Sequence, residues 1–137
     1  MKKYRLPLVL LPSQHLAIKA RINAKKALLL LDTGASNTCV DVNRQGHFGL
    51  DSSHYDLKGT GAGAANLTLW QAQAECFQIG RFKRMDFSLL LMDLSVVNQA
   101  MKQYELPAID GIIGADVLVM HKAKIDYESL LLELVID

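Results

Sequence analysis

Asp32 is the side chain on which chemistry could turn. It closes the apolar run Leu28-Leu29-Leu30-Leu31 and opens Thr33-Gly34-Ala35. A carboxylate at the end of a buried strand, on a turn made by Gly34, is held rigidly with backbone N–H groups near it, and such rigidity suits catalysis. At average usage, an Asp-Thr-Gly trio arises by chance in roughly a few per cent of chains this long, so its context carries the weight. Asp110-Gly111 offers a second acid on an apolar stretch, but it lacks the Thr and Ala that follow Asp32 and reads as part of a buried strand. Asp116 falls near the start of a short helix, where an acid complements the positive end. The four histidines do not have the spacing of a zinc-binding helix, and His47, Asp51, His54 and Asp56 share a polar stretch that reads as a solvated loop. No metal is expected. Cys39 and Cys76 are far apart with no C-x-x-C spacing, which reads as two half-buried thiols in a reducing compartment.

The elements that must position Asp32 follow a period of two rather than 3.6, so the chain reads as mainly β. Residues 8–11 pair with the alternating set Leu16, Ile18, Ala20 and Ile22 across a Pro12-Ser13-Gln14 turn. Asn23-Ala24-Lys25 then turns into residues 27–31, whose consecutive apolar side chains suit a strand buried on both faces. Residues 45–49 read as a loop or short helix. Gly59, Gly61 and Gly63 mark a hairpin tip, followed by a long strand with Leu67 and Leu69 on one face and Trp70, Ala72, Ala74 and Cys76 on the other. Gly80 turns the chain into residues 82–92. Residues 94–104 read as a surface helix ended by Pro107, residues 109–114 as a buried strand closed by glycine, and residues 115–121 as two helical turns. Residues 124–127 and 130–136 form a closing hairpin around Glu128-Ser129. Lys2, Lys3 and Arg5 read as a solvated end.

A chain of 137 residues suits one domain spanning 1–137, and a content of 50% hydrophobic and 21% charged residues excludes disorder as its main state. Fifteen Lys and Arg against fourteen Asp and Glu leave a net charge of +1, which gives no basic footprint for nucleic acid. Met-Lys-Lys before residues 6–11 resembles a secretion signal only superficially, because Pro7 and Pro12 bracket a short apolar stretch with no Ala-x-Ala site. The longest apolar runs fall far short of the ~20 residues of a membrane span. No membrane partner is expected, and a cytoplasmic location is, with the periplasm still open.

An apolar strand into Asp32-Thr33-Gly34-Ala35, a glycine-bearing hairpin at Gly59, Gly61 and Gly63, and the apolar pair Ile112-Ile113 closed by Gly114 before a helix occur in that order. In this the chain resembles the retropepsin-like aspartic proteases, single-domain relatives of pepsin that work as homodimers, over roughly residues 5–137. The resemblance implies an all-β fold, a closed β-barrel with a glycine-rich flap and one or two short helices. It implies an aspartic endopeptidase that needs no cofactor and no metal, with Asp32, Thr33 and Gly34 as catalytic residues. Ala35, Gly59, Gly61, Gly63 and Ile112 would line the substrate cleft with residues 57–65. Only one such trio is present, so the second carboxylate must come from a second copy. The partners implied are an extended peptide and a homodimer mate.

Two places depart from the family pattern. Retroviral members commonly carry Arg after the Ile-Gly pair, paired to an acid after the Asp loop, where this chain has Ala115 and Ser36 or Asn37. The segment 94–107 is also longer than the compact retroviral pattern. The apolar tail 130–136 fits either a dimer sheet or an intrachain hairpin. A catalytically silent dimerisation or peptide-binding module on the same fold is the alternative, since fold alone does not make an enzyme; an intact Asp-Thr-Gly-Ala loop argues against it. A protease active only after trimming or fusion shares the chemistry but not the control. The formal dinucleotide match Gly59-x-Gly61-x-x-Ala64 is set aside because no βαβ unit surrounds it.

Overall fold

The computed structural model describes residues 1–59 and 67–137, with side chains outside 53–67. Its strands are β1 (Lys2–Pro7), β2 (Val9–Leu10), β3 (Leu16–Ile22), β4 (Lys25–Leu31), β5 (Cys39–Asp41), β6 (Asp51–Gly59), β7 (Leu67–Ile79), β8 (Phe82–Met92), β9 (Gly111–Ile113), β10 (Lys124–Asp126) and β11 (Leu131–Ile136). The described α-helices are α1 (Gln45–Phe48), α2 (Ser95–Gln103) and α3 (Ala115–Leu118), with a 3-10 turn at Val42–Arg44. The polar stretch at Gln45, read as a loop or short helix, is α1, closed where Gly49 adopts φ 62° and returns its N–H to the last turn.

The larger sheet runs β2-β3-β4-β9-β5-β8-β7-β6, and a further pairing of β3 with β7 closes six of these strands into a barrel. Closure comes from Arg21 and Ile22 pairing with Gln78 and Phe77. The β3–β4 hairpin turns on Asn23 and Ala24, both at positive φ (49° and 68°), the twist that a two-residue turn requires. Asn23 also ties this turn to the barrel: its amide donates to the Phe48 carbonyl (2.9 Å), and its side-chain oxygen accepts the Cys76 N–H (3.2 Å).

Strand β4 lies between two apolar clusters. Ala27 and Leu29 enter the main core with Ile18, Phe77 and Phe87, while Leu28 and Leu30 pack against Leu11, Leu94, Met101 and Ile109. Helix α2 thus explains the four-leucine run, because without Leu94 and Met101 the second face of β4 would lie open. Burial of that face is partial, Leu28 and Leu30 being half-buried rather than fully enclosed.

The long β7–β8 hairpin departs from a single alternation. Ala72 and Ala74 are buried as expected, but the buried set then changes phase to Phe77 and Ile79, leaving Cys76 half-buried. The partner strand carries the cause. Asp86 sits at φ 51°, and the ladder is interrupted opposite Glu75, between the Ala74↔Phe87 and Cys76↔Met85 pairs. A left-handed residue inside a strand bends the ribbon and re-aims the side chains beyond it.

The smaller sheet has the order β1-β11-β10. Strand β11 pairs along its length with β1, from Lys2↔Ile136 to Pro7↔Leu131, and on its other side with β10. The apolar tail is therefore the centre of an intrachain sheet. Lys2, Lys3 and Arg5 belong to strand β1 rather than to a loose end, with side chains exposed.

Candidate functional site

Asp32 stands one residue past the last β4–β9 pair, Leu31↔Ile113. Its N–H donates to the Ile113 carbonyl (3.0 Å), and its carbonyl accepts the Ala35 N–H (3.1 Å). One carboxylate oxygen accepts the Gly34 N–H at 3.0 Å. These three bonds hold both backbone and side chain of the turn, while Asp32, Thr33 and Gly34 remain exposed and Ala35 half-buried. Gly34 is not demanded by crowding, since a Cβ there would meet Asp32 Oδ1 at an ordinary 3.4 Å. Its contribution on this side is the N–H that fixes the carboxylate.

Behind the turn lies a brace of greater precision. Gly114 lets α3 approach the loop: a Cβ there would stand 2.7 Å from the Asn37 carbonyl and 2.9 Å from that of Ala35. The close approach allows Ala115 N–H to reach the Ala35 carbonyl (2.7 Å) and Asp116 N–H to reach that of Ser36 (3.2 Å). Thr38, fully buried, donates its N–H to both Asp116 oxygens (2.9 Å each) and its hydroxyl to one (2.7 Å), and its hydroxyl accepts the Gly114 N–H (3.1 Å). Asp116 is thus more than a helix-end charge. Where the retroviral pattern uses an Arg–acid pair, this chain joins the same two segments with a carboxylate and a threonine.

Asp110 cannot partner Asp32. Its carboxylate accepts the Leu28 N–H (2.9 Å) and the Arg44 Nε–H (3.2 Å). Gly111 pairs in parallel with Leu29, which sets Asp110 level with Leu28, four residues before Asp32 and ~13 Å away along the strand. Gly111 has its own constraint, because a Cβ would overlap the Cys39 carbonyl. Cys39, beneath the loop, is buried, and that burial pushes its thiol up to about 11.

Among the remaining expected residues, Ile112 lies beside Leu30 and Cys39 in the sheet, half-buried against the second apolar cluster. Gly59 ends β6 opposite Leu67, and Gly61 and Gly63 lie outside the described residues. Strands β6 and β7 pair antiparallel, whereas the βαβ unit of a dinucleotide site joins parallel strands. Among the described residues no group of three His, Cys, Asp or Glu could hold a metal ion, and no helix is long and apolar enough to cross a membrane. Sequence reasoning missed Thr38 and Arg44. No local signal marks either, since their partners Asp116 and Asp110 are distant in the chain.

The sequence profile of the family described as aspartyl protease matches residues 18–117. The fold is similar to that of a retropepsin-like aspartic protease from Rickettsia conorii, with TM-score 0.63 and 17% identity over 97% of this chain and 89% of that one. It is also similar to the retroviral protease-like domain of Ddi1 from Leishmania major, with TM-score 0.55 and 18% identity over 82% and 81% of the two chains. The protease of EIAV, solved with the inhibitor HBY-793, gives TM-score 0.53 and 20% identity over 80% of this chain and 90% of that one. Comparison with curated protein sequences gives no match. The architecture is retropepsin-like, a mostly β closed barrel with short helices.

Proposed function

The chain belongs to the aspartyl protease family, and from that premise we propose that it is an endopeptidase acting as a homodimer, with Asp32 of each copy forming the catalytic pair. The observation that carries this reading is the solvent-facing Asp32 carboxylate on a turn tied to Ile113, Ala35 and its own Gly34 N–H.

In the proposed mechanism a water lies between the two carboxylates. Negative charges about 3 Å apart cannot both persist, so one carboxylate is protonated and the other ionised. The ionised one takes a proton from water as its oxygen attacks the scissile carbonyl carbon, while the protonated one donates to the carbonyl oxygen. Proton transfer to the amide nitrogen then releases the amine as the C–N bond breaks. No covalent enzyme intermediate forms. Thr33 bonds across to the partner loop, and Ala35, Gly59, Gly61, Gly63 and Ile112 contact the substrate. The substrate binds as an extended strand, with side-chain pockets setting preference.

The test is cleavage of a diverse peptide library at high protein concentration from about pH 4 to 7, comparing wild type with Asp32→Asn and adding a statine-type inhibitor. Cleavage that is lost in the variant and blocked by the inhibitor supports the reading. A confirmed wild-type dimer that cleaves nothing refutes it and favours a peptide-binding module.

A further inference from the structure

The proposed site is incomplete in one chain, and the smaller sheet has two edges at which a second copy could add. Strand β10 is one edge and β1 the other. Beside β10 a shallow hollow of about 320 Å³ is lined by Thr33 together with Leu118, Val119, Ala123 and Ile125. The β10 edge and the Asp32 loop therefore border the same surface. Strand β1 lies beyond β11, about 10 Å further off at two strand spacings. A two-fold axis through β1 would move the two Asp32 loops apart by roughly twice that distance.

Charge separates the edges as well. Two antiparallel copies of β1 would set Lys2, Lys3 and Arg5 against one another, a run without an acid. Strand β10 reads Lys124-Ile125-Asp126, with both charged side chains exposed. Paired antiparallel with itself about Ile125, it places each Lys124 opposite an Asp126 and Ile125 opposite its own copy. Opposite charges directly across two strands stabilise the pairing, and like charges oppose it. Asp126 is held ionised, its carboxyl kept below the usual range by the Ser129 N–H and hydroxyl and the Glu128 N–H. The same register brings Tyr127, 66% exposed, opposite the partner's Ala123 at the rim of the hollow. Val119, 74% exposed on that rim, gains cover from the same approach.

We propose that a second copy of this chain docks edge to edge along β10, paired about Ile125, to make a continuous six-stranded sheet in the order β1-β11-β10-β10-β11-β1 next to the two Asp32 loops. This rests on the homodimer reading above and names its seam. The terminal strands β1 and β11 stay paired within each chain and are not exchanged.

The palindromic charge pattern supplies a test in which misfolding cannot imitate the answer. In a Lys124→Glu homodimer each introduced glutamate faces the partner's Asp126; in an Asp126→Lys homodimer each introduced lysine faces the partner's Lys124. Each variant alone should dimerise about 10-fold more weakly than wild type. Across the seam, the mixed dimer of the two variants meets only opposite charges, while the loss of the in-chain Lys124–Glu133 pair (3.9 Å) is the same in the Lys124→Glu protein alone or mixed, so an equimolar mixture should regain wild-type mass by sedimentation equilibrium. Circular dichroism of each variant checks that the protein put into the mixture is folded. Dimer recovery in the mixture supports the seam even if no peptide is cut, an outcome that would sink the protease reading alone. Wild-type dimers whose mass ignores both charge reversals, a wild type that stays monomeric, or variants that dimerise no better mixed than alone would overturn the seam, whether or not peptide is cleaved.

Discussion

Replacing Thr38 by valine isolates the brace behind the Asp32 loop. The two side chains have nearly the same shape, so the change removes a hydroxyl without opening a cavity. Two interactions are lost, the 2.7 Å bond to the Asp116 carboxylate and the 3.1 Å bond from the Gly114 N–H. A hydrogen bond to a charged group is worth about 1.5–3 kcal/mol, and a buried N–H left without a partner costs about 1–3 kcal/mol. The two Thr38 N–H contacts to Asp116 remain, and neighbouring terms do not add fully, so the expected loss is about 3 kcal/mol. For a chain of 137 residues this lowers Tm by about 10 °C. Urea unfolding at fixed protein concentration measures it, with Thr38→Ser as the control that keeps the hydroxyl and gives up one methyl, at about 1 kcal/mol. Peptide cleavage should fall more in the valine variant than in the serine variant, because the brace positions the Asp32 turn. A valine variant no less stable than the serine variant would refute the claim that these bonds hold the loop to α3.

Three glycines of this chain should respond to alanine in graded fashion. Gly111→Ala, which drives a Cβ into the Cys39 carbonyl, should cost on the order of 3 kcal/mol or prevent folding. Gly46→Ala, in α1 with open space around it, should be neutral or stabilise by up to about 1 kcal/mol. Gly80→Ala falls between, at about 1 kcal/mol, because φ is 55° and Leu6 Cδ2 lies 3.2 Å from the new methyl. Cys39, with its thiol raised from 9.0 to about 11 by burial, should resist iodoacetamide in the native protein at pH 8 and react once unfolded. Since the folded-state value lies above the unfolded one, its contribution is fully present below pH 9 and is lost as pH rises toward 11, a fall on the order of 2–3 kcal/mol that Cys39→Ala should not show. Asp93 is held below its ordinary value by the Ser95 hydroxyl and N–H and the Asn43 amide. What it adds to stability is therefore present above the unfolded value and disappears as pH falls through the depressed one, so the gap in denaturant midpoint between wild type and Asp93→Asn should shrink as pH is lowered below the ordinary carboxylate range.

Sequence alone determined the elements whose signals are local. The four leucines before Asp32-Thr33-Gly34-Ala35, the alternation through β3, the helix at residues 95–103 and the glycine-closed Ile112-Ile113-Gly114 strand are set by side-chain period and by turn residues next to them in the chain. The family followed from the order of those same pieces. Tertiary structure decided whatever depends on contacts between distant residues. Helix α2 covers the second face of β4, Asp86 at positive φ changes the phase of the long hairpin, and β11 pairs inside its own chain. The brace under Asp32 is of this kind too. Thr38 meets Asp116, and Arg44 meets Asp110, only after the barrel closes, because a hydrogen-bond partner is selected by position in space and one sequence carries no direct mark of that position. The Lys-Ile-Asp palindrome of β10 was visible as letters. It acquired meaning when folding left that strand at a sheet edge beside Thr33, since charges can complement a second copy only along an edge that its own chain has not already paired.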